Sequence, residues 1–298
     1  MVLADVEKPN PKDNEVLIEI KATTVTASDV HIRKLDEPLI SRFILQIIFG
    51  FGKPRNPILG MVSSGVVVAK GENVTSFQIG HEVFAYGSIS TTKHRFGSYA
   101  EYICLPEDWI IALKPANISH NEAAATPYGG LLAMHLLSKT SIQKGDEVLI
   151  YGASGSIGTM AVQLAKIAGA NVTAVCSGKN FDLVKSLGSD RVIDYTLQGS
   201  EKQLSSYKYV LDTVGNSKSS ILKEVSKKAL NVNGKYISID TGVPKTPRSA
   251  FIQLKNYLAA EKIKPVIDRV FPLEKMAEAH DYVELGHKRG NVIISVSL

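Results

Sequence analysis

Three glycines spaced by three, Gly152, Gly155 and Gly158, stand where an apolar run from Glu147 to Tyr151 meets a helix-forming run from Thr159 to Ala168. That order predicts a strand, a tight turn and a helix. Glycine lets the backbone bend sharply and approach a ligand closely, while the helix start offers unsatisfied N–H groups and a positive dipole end. A diphosphate is the expected occupant of the turn. Glycines mark any tight turn, so a purely structural bend is the alternative. The context favours the nucleotide: strand, turn, helix and next strand all fall within about 30 residues. In the six-residue frame an alanine, Ala153, replaces the first glycine.

The same alternation continues downstream. Strands are expected over Val172–Cys176, Arg191–Tyr195, Tyr209–Thr213 and Lys235–Ile239, and helices over Phe181–Leu187, stopped by Gly188, and Ser217–Leu230. Repeated β-α units imply an α/β fold with a doubly wound parallel sheet. Upstream, β-branched strands such as Val16–Lys21 and Ser64–Val68 alternate with turn residues up to about Pro115, which suggests a mostly antiparallel β domain. Pro38–Phe49 interrupts that pattern as an apolar-faced helix, packed on a core or forming a pocket wall. Ser119 and Glu122 form a capping box for a helix starting near Asn121, and a second helix runs through Leu131–Leu137. The C-terminal region reads as helices over Phe251–Ala260 and Leu273–Leu285, with Gly286 in the stop position, and a strand over Asn291–Val296.

With 298 residues, 44% of them hydrophobic, the chain can bury two cores. The two cysteines, Cys104 and Cys176, lie far apart and read as core thiols rather than a disulfide or a thiolate cluster. The net charge of +5 comes from lysines and arginines mostly interleaved with acids, which does not favour nucleic-acid binding. No window is apolar enough for a membrane span, and Met1–Asp13 is too charged for a signal peptide, so a cytoplasmic location is expected.

The end of the second strand distinguishes between nicotinamide cofactors. An NAD site wants an acid there for the ribose 2′-hydroxyl. This chain reads Cys176-Ser177-Gly178-Lys179, and the only nearby acid, Asp182, comes late. A hydroxyl and an ammonium suit a 2′-phosphate, so NADPH is the expected cofactor. The alternative is a Lys179 that merely extends into solvent.

These residues match a known family. Glu15-Val16-Leu17-Ile18, Ala22 to Asp29, Pro57-Ile58-Leu59-Gly60-Met61, Gly97 to Tyr102, the glycine turn, Val192-Ile193-Asp194-Tyr195 and Gly286 to Val292 together resemble the medium-chain dehydrogenase/reductases. Specifically they resemble the zinc-free branch of quinone oxidoreductases and enone or alkenal reductases. The resemblance implies a GroES-like domain over 1–117 and 264–298 and a Rossmann domain over 118–263, with the active site in the cleft and a hydrophobic pocket for substrate. It also implies that Ser154, Gly155, Ser156 and Ile157 meet the diphosphate, Ser177, Lys179 and Tyr195 the adenosine 2′-phosphate, Thr213 and Val214 the adenine side, and Ile239, Asp240 and Thr241 the nicotinamide side.

Where zinc-dependent relatives carry cysteine, histidine and glutamate, this chain has Thr26, Met61 and Val62, which cannot ligate zinc. Gly80-His81-Glu82 imitates a ligand motif but falls where relatives have a turn into a strand. Without a Lewis acid, reduction of a simple ketone leaves its developing alkoxide poorly stabilised. A quinone or an α,β-unsaturated carbonyl spreads that charge by conjugation, and a hydroxyl or water then completes the protonation. Ser28, Thr26 and Tyr128 are the candidate donors; turn-capping for the first two and core packing for the third are the competing readings.

The chain departs from the family in three places. Relatives usually begin with one more strand before the segment that starts here at Val2, so the N-terminal sheet is expected to lack an edge; the chain passes from Gly242 to the Phe251 helix without a last Rossmann strand, and it has Leu132 where relatives often place a threonine. The missing Rossmann edge, commonly the dimer seam, puts the usual homodimer in doubt. It also keeps a second reading open, an NADPH-binding sensor or partner-binding protein with little turnover.

Overall fold

The structure, a computed structural model, describes residues 1–34, 56–88, 95–217 and 219–296. The helix expected over Pro38–Phe49 lies outside them. The described strands are β1 (Glu15–Val25), β2 (Val62–Lys70), β3 (Glu82–Tyr86), β4 (Tyr102–Pro106), β5 (Ile111–Leu113), β6 (Glu147–Tyr151), β7 (Asn171–Cys176), β8 (Arg191–Asp194), β9 (Tyr207–Asp212), β10 (Leu230–Ser238), β11 (Ile267–Pro272) and β12 (Asn291–Ser295). The helices are α1 (Ala27–Lys34), α2 (His120–Ala125), α3 (Pro127–Leu137), α4 (Ser156–Ile167), α5 (Phe181–Ser186), α6 (Ile221–Ser226), α7 (Arg248–Ala259) and α8 (Met276–Glu284). By its contacts the chain divides into two units, one of residues 1–127, 247–255 and 267–298, the other of residues 128–246 and 256–266.

The first unit is built on a seven-stranded sheet in the order β11-β12-β1-β2-β3-β5, with β4 also pairing to β1. Its strands are antiparallel except for β11 beside β12. Strand β1 is buried along nearly its whole length, which fits its central position and its β-branched content. Helix α2 packs against β1, β2 and β12 through Ala123, Ala124 and Ala125, whose small side chains allow close approach. Its predicted capping box is present: Ser119 and Glu122 each satisfy the other's backbone N–H.

The second unit carries five parallel strands in the order β10-β9-β6-β7-β8. Leu149, Tyr151, Val175, Ile193, Tyr207, Val210 and Leu222 form one core cluster there. Strand β10 ends the sheet, consistent with the short passage from Gly242 to α7.

Three local readings are corrected. The helix expected over Ser217–Leu230 is confined to Ile221–Ser226, because Ser220 caps it by accepting from the Lys223 N–H at 3.1 Å and Leu230 already pairs with Tyr207 in the sheet. The helix expected from Leu273 begins with a 3-10 turn and becomes α-helical only at Met276. Helix α1 was not anticipated at all, although Thr26-x-x-Asp29 is itself a capping signal.

Candidate functional site

The glycine turn has the shape the sequence predicts. Gly152 adopts φ +82°, a conformation that L side chains rarely take, and a Cβ there would collide with Val214 and Thr213. At Gly158 a Cβ would lie 2.1 Å from the Gly152 carbonyl oxygen and 2.7 Å from the Ala153 Cα, so this glycine lets α4 pack against the turn. Gly155 differs: a Cβ there would meet nothing nearer than the Gly152 oxygen at 3.5 Å, so its face is open. Gly155 is also the N-cap of α4 and supplies no side-chain cap to the first turn, which Ser156 and Ile157 begin. An uncapped helix start beside an open glycine fits a diphosphate.

Neighbouring strand ends supply the rest of this half of the site. Thr213, just after β9, donates its hydroxyl to the Tyr151 carbonyl at 2.8 Å and its N–H to the same oxygen at 3.1 Å, fastening the 213–214 segment to the turn. Asp212 holds the following bend: its Oδ1 accepts from the N–H groups of Val214 and Gly215 at 3.1 and 3.2 Å, and its Oδ2 takes an ion pair from buried Lys223 at 3.0 Å. The Ile239 N–H donates to the Asp212 carbonyl at 3.0 Å, and Asp240 accepts from the Asn216 N–H. Thr241 is exposed, with its carbonyl oxygen accepting from Lys139 at 2.6 Å. The ring of Tyr195, at the end of β8, lies 6.3 Å from that of Tyr151.

The Ser177–Lys179 turn is held by two residues to which the sequence alone assigns no role. Asp194 faces the Ser177–Lys179 turn and accepts from the Gly178 N–H at 2.8 Å, because β7 and β8 pair with Cys176 opposite Asp194. The expectation that Asp182 was the only nearby acid is therefore corrected. The Asp194 carboxylate also accepts from the Thr196 N–H and hydroxyl at 2.9 and 2.6 Å. Burial raises its pKa, but these bonds outweigh that and hold it below the ordinary value. The second residue is Asn180, buried at 4% exposure, whose amide donates to both Ser154 at 3.0 Å and Ser177 at 3.2 Å. Lys179 is exposed.

In the first unit, the two hydroxyls before and within α1 have different environments. Thr26 is buried, its hydroxyl donating to Asp29 Oδ2 at 2.6 Å while accepting from the Asp29 N–H at 3.2 Å. Ser28 is only half-buried. Burial pushes the Asp29 carboxyl up to about 6 despite the opposing Thr26 bonds. Tyr128, the third candidate, belongs to the second unit and is buried near the start of α3. Both cysteine thiols are pushed up by burial, Cys104 to about 11 and Cys176 to about 12, as inert core groups would be.

Residues 12–115 match the alcohol dehydrogenase GroES-like domain, and residues 156–262 and 243–294 match zinc-binding dehydrogenase models. Over 98% of its length the chain is 32% identical to the 2-methylene-furan-3-one reductase of Solanum lycopersicum, covering 74% of that protein. The chloroplastic NADPH-dependent alkenal/one oxidoreductase of Arabidopsis thaliana is 30% identical, with the same 98% and 74% coverage. The chain belongs to the medium-chain dehydrogenase/reductase superfamily. Within it, the match is to the quinone oxidoreductase-like branch: the solved quinone oxidoreductase of Coxiella burnetii superposes with a TM-score of 0.81 at 25% identity, covering 99% of this chain and 95% of that one.

Among the described residues, no three His, Cys, Asp or Glu side chains are grouped as a metal ion requires. Glu82, from the imitation motif, opens β3 and pairs instead with Lys114 and His120, each at 3.2 Å. No helix among the described residues is long and apolar enough to cross a membrane.

Proposed function

We propose that this protein is a zinc-independent reductase that uses NADPH to reduce a quinone or an α,β-unsaturated carbonyl compound. The observation that carries the reading is the open face of Gly155 at the uncapped start of α4, with Ser177, Lys179 and Tyr195 on the adjoining strand ends. When bound, NADPH supplies the hydride, which conjugation directs to the far carbon of an enone or to a quinone.

The chain's own groups hold and orient. Ser154, Gly155, Ser156 and Ile157 take the diphosphate through N–H groups and hydroxyls. Ser177, Lys179 and Tyr195 take the 2′-phosphate; Asp194, already accepting three hydrogen bonds from Gly178 and Thr196, shapes their turn rather than competing for a ribose hydroxyl. Thr213 and Val214 border the adenine, and Ile239, Asp240 and Thr241 the nicotinamide. Ser28, Thr26 and Tyr128 are the candidate proton donors, and Thr26 donates its hydroxyl hydrogen to Asp29. Residue types at Thr26, Met61 and Val62 support chemistry without zinc.

The names of the tomato and Arabidopsis relatives favour turnover over a sensor role. A five-stranded sheet ending on β10 supports a protein without the family's usual edge-strand dimer. The test is NADPH absorbance loss with a panel of quinones and enals, with and without a chelator. Turnover unaffected by the chelator is expected. Tight NADPH binding without turnover on any acceptor would overturn the reading, and inhibition reversed by zinc would overturn its metal-free part.

A further inference from the structure

Asn180 stands at the N-cap position of α5 yet makes no cap bond to its own helix. Asparagine is among the residues best suited to that task, so a side chain that forgoes it is committed elsewhere. Here the commitment is visible: the Nδ2 amide divides its two hydrogens between Ser154 Oγ and Ser177 Oγ, at 3.0 and 3.2 Å. Ser154 lies in the glycine turn after β6, and Ser177 follows β7, so one buried amide joins the two phosphate-facing segments. Ser177 likewise makes no side-chain cap bond to the short turn it precedes.

The direction of these bonds determines what the serines can do. A hydroxyl that accepts from an amide keeps its own hydrogen to give away. Both serines are thereby set as donors, the polarity a phosphate oxygen needs, and their bonds to an anion are charge-assisted. Asn180 Oδ1 is buried and has no hydrogen-bond partner among the described residues, so the amide's bonds run through Nδ2 alone.

We propose that Asn180 is a positioning residue for the dinucleotide, orienting Ser154 toward the diphosphate and Ser177 toward the 2′-phosphate. The inference rests on the NADPH reading above. The isosteric Asn180→Asp change tests its polarity, because a carboxylate accepts from both hydroxyls and turns their hydrogens inward.

The experiment is calorimetric titration of the full chain and its variants with NADPH, NADH and adenosine 2′,5′-bisphosphate, with thermal melting as a check on folding. Asn180→Ala is expected to weaken NADPH and the bisphosphate by about tenfold, and Asn180→Asp by more, with a smaller loss for NADH. In a Ser154→Ala/Ser177→Ala background, Asn180→Ala should cost little further affinity, which a merely structural role would not produce. Full additivity in that background, NADPH affinity within about twofold of the parent in both Asn180 variants, or equal losses for NADPH and NADH would overturn the inference. Failure of the unaltered chain to bind either dinucleotide would instead remove the reading beneath it.

Discussion

Asp29 Oδ2 accepts both the N–H and the hydroxyl of Thr26, at 2.8 and 2.6 Å, while the Asp29 N–H returns a bond to the Thr26 hydroxyl. The pair caps α1 reciprocally, which ties Thr26 to helix stability. Thr26→Ala is expected to lower unfolding free energy by about 1–2 kcal/mol, read from the urea midpoint. Ser28→Ala should leave that midpoint in place and lower kcat without changing NADPH affinity. An unmoved midpoint in the first variant would contradict the capping role; an unmoved kcat in the second would remove Ser28 as the donor.

Asp29 and His280 have opposite pH linkages in one window. Asp29 is held up to about 6 by burial against an ordinary 3.8, so the folded chain retains a proton the unfolded chain has lost; this stabilisation is full below about 4 and lost as pH rises through 6. Burial above all holds His280 down to about 4 against 6.5, so the unfolded chain binds the extra proton; its stabilisation is full above 6.5 and lost as pH falls through 4. Each linkage spans roughly 3 kcal/mol, and together they nearly cancel. Relative to the parent, Asp29→Asn should lose stability on acidification from pH 6.5 to 4, and His280→Phe should gain it. Denaturation curves across that range check this, and parallel slopes for all three proteins would contradict it.

On the NADPH reading, Lys179 pairs with the 2′-phosphate. Lys179→Ala is expected to weaken NADPH by about tenfold or more and NADH by little, since only NADPH presents the 2′-phosphate. Equal losses in the two titrations would refute that role.

On the dinucleotide reading, substitutions at Gly155 and Gly158 are expected to separate binding from folding within one turn. Gly158→Ala drives a methyl into backbone atoms and should cost about 2 kcal/mol or more in stability. Gly155→Ala, at φ −80° with open space ahead, should keep the melting temperature and lose dinucleotide affinity by about tenfold. Loss of stability without loss of affinity in Gly155→Ala would contradict the cradle.

The elements around the glycine turn were legible because their period, their capping residues and their glycines all point the same way. Ser119 with Glu122 announced α2, and the run into Gly152 announced β6 and α4. What escaped depends on pairing across the sheet. Asp194 reaches Gly178 only because β8 lies beside β7 in a register that sets it opposite Cys176, and nothing local to either residue signals that. Asn180 reads locally as a helix cap, and its actual bonds run to a strand end and a turn distant in sequence. Helix α1 is readable locally, from the capping spacing of Thr26 and Asp29.

Transfer of label from NADPH deuterated at the nicotinamide C4 tests the central claim most directly. After turnover with an enone, mass spectrometry should find one deuterium on the product, at the carbon far from the carbonyl, from one of the two C4 diastereomers only. Deuterium at the carbonyl carbon, or product formed without label from either diastereomer, would contradict hydride transfer to a conjugated acceptor.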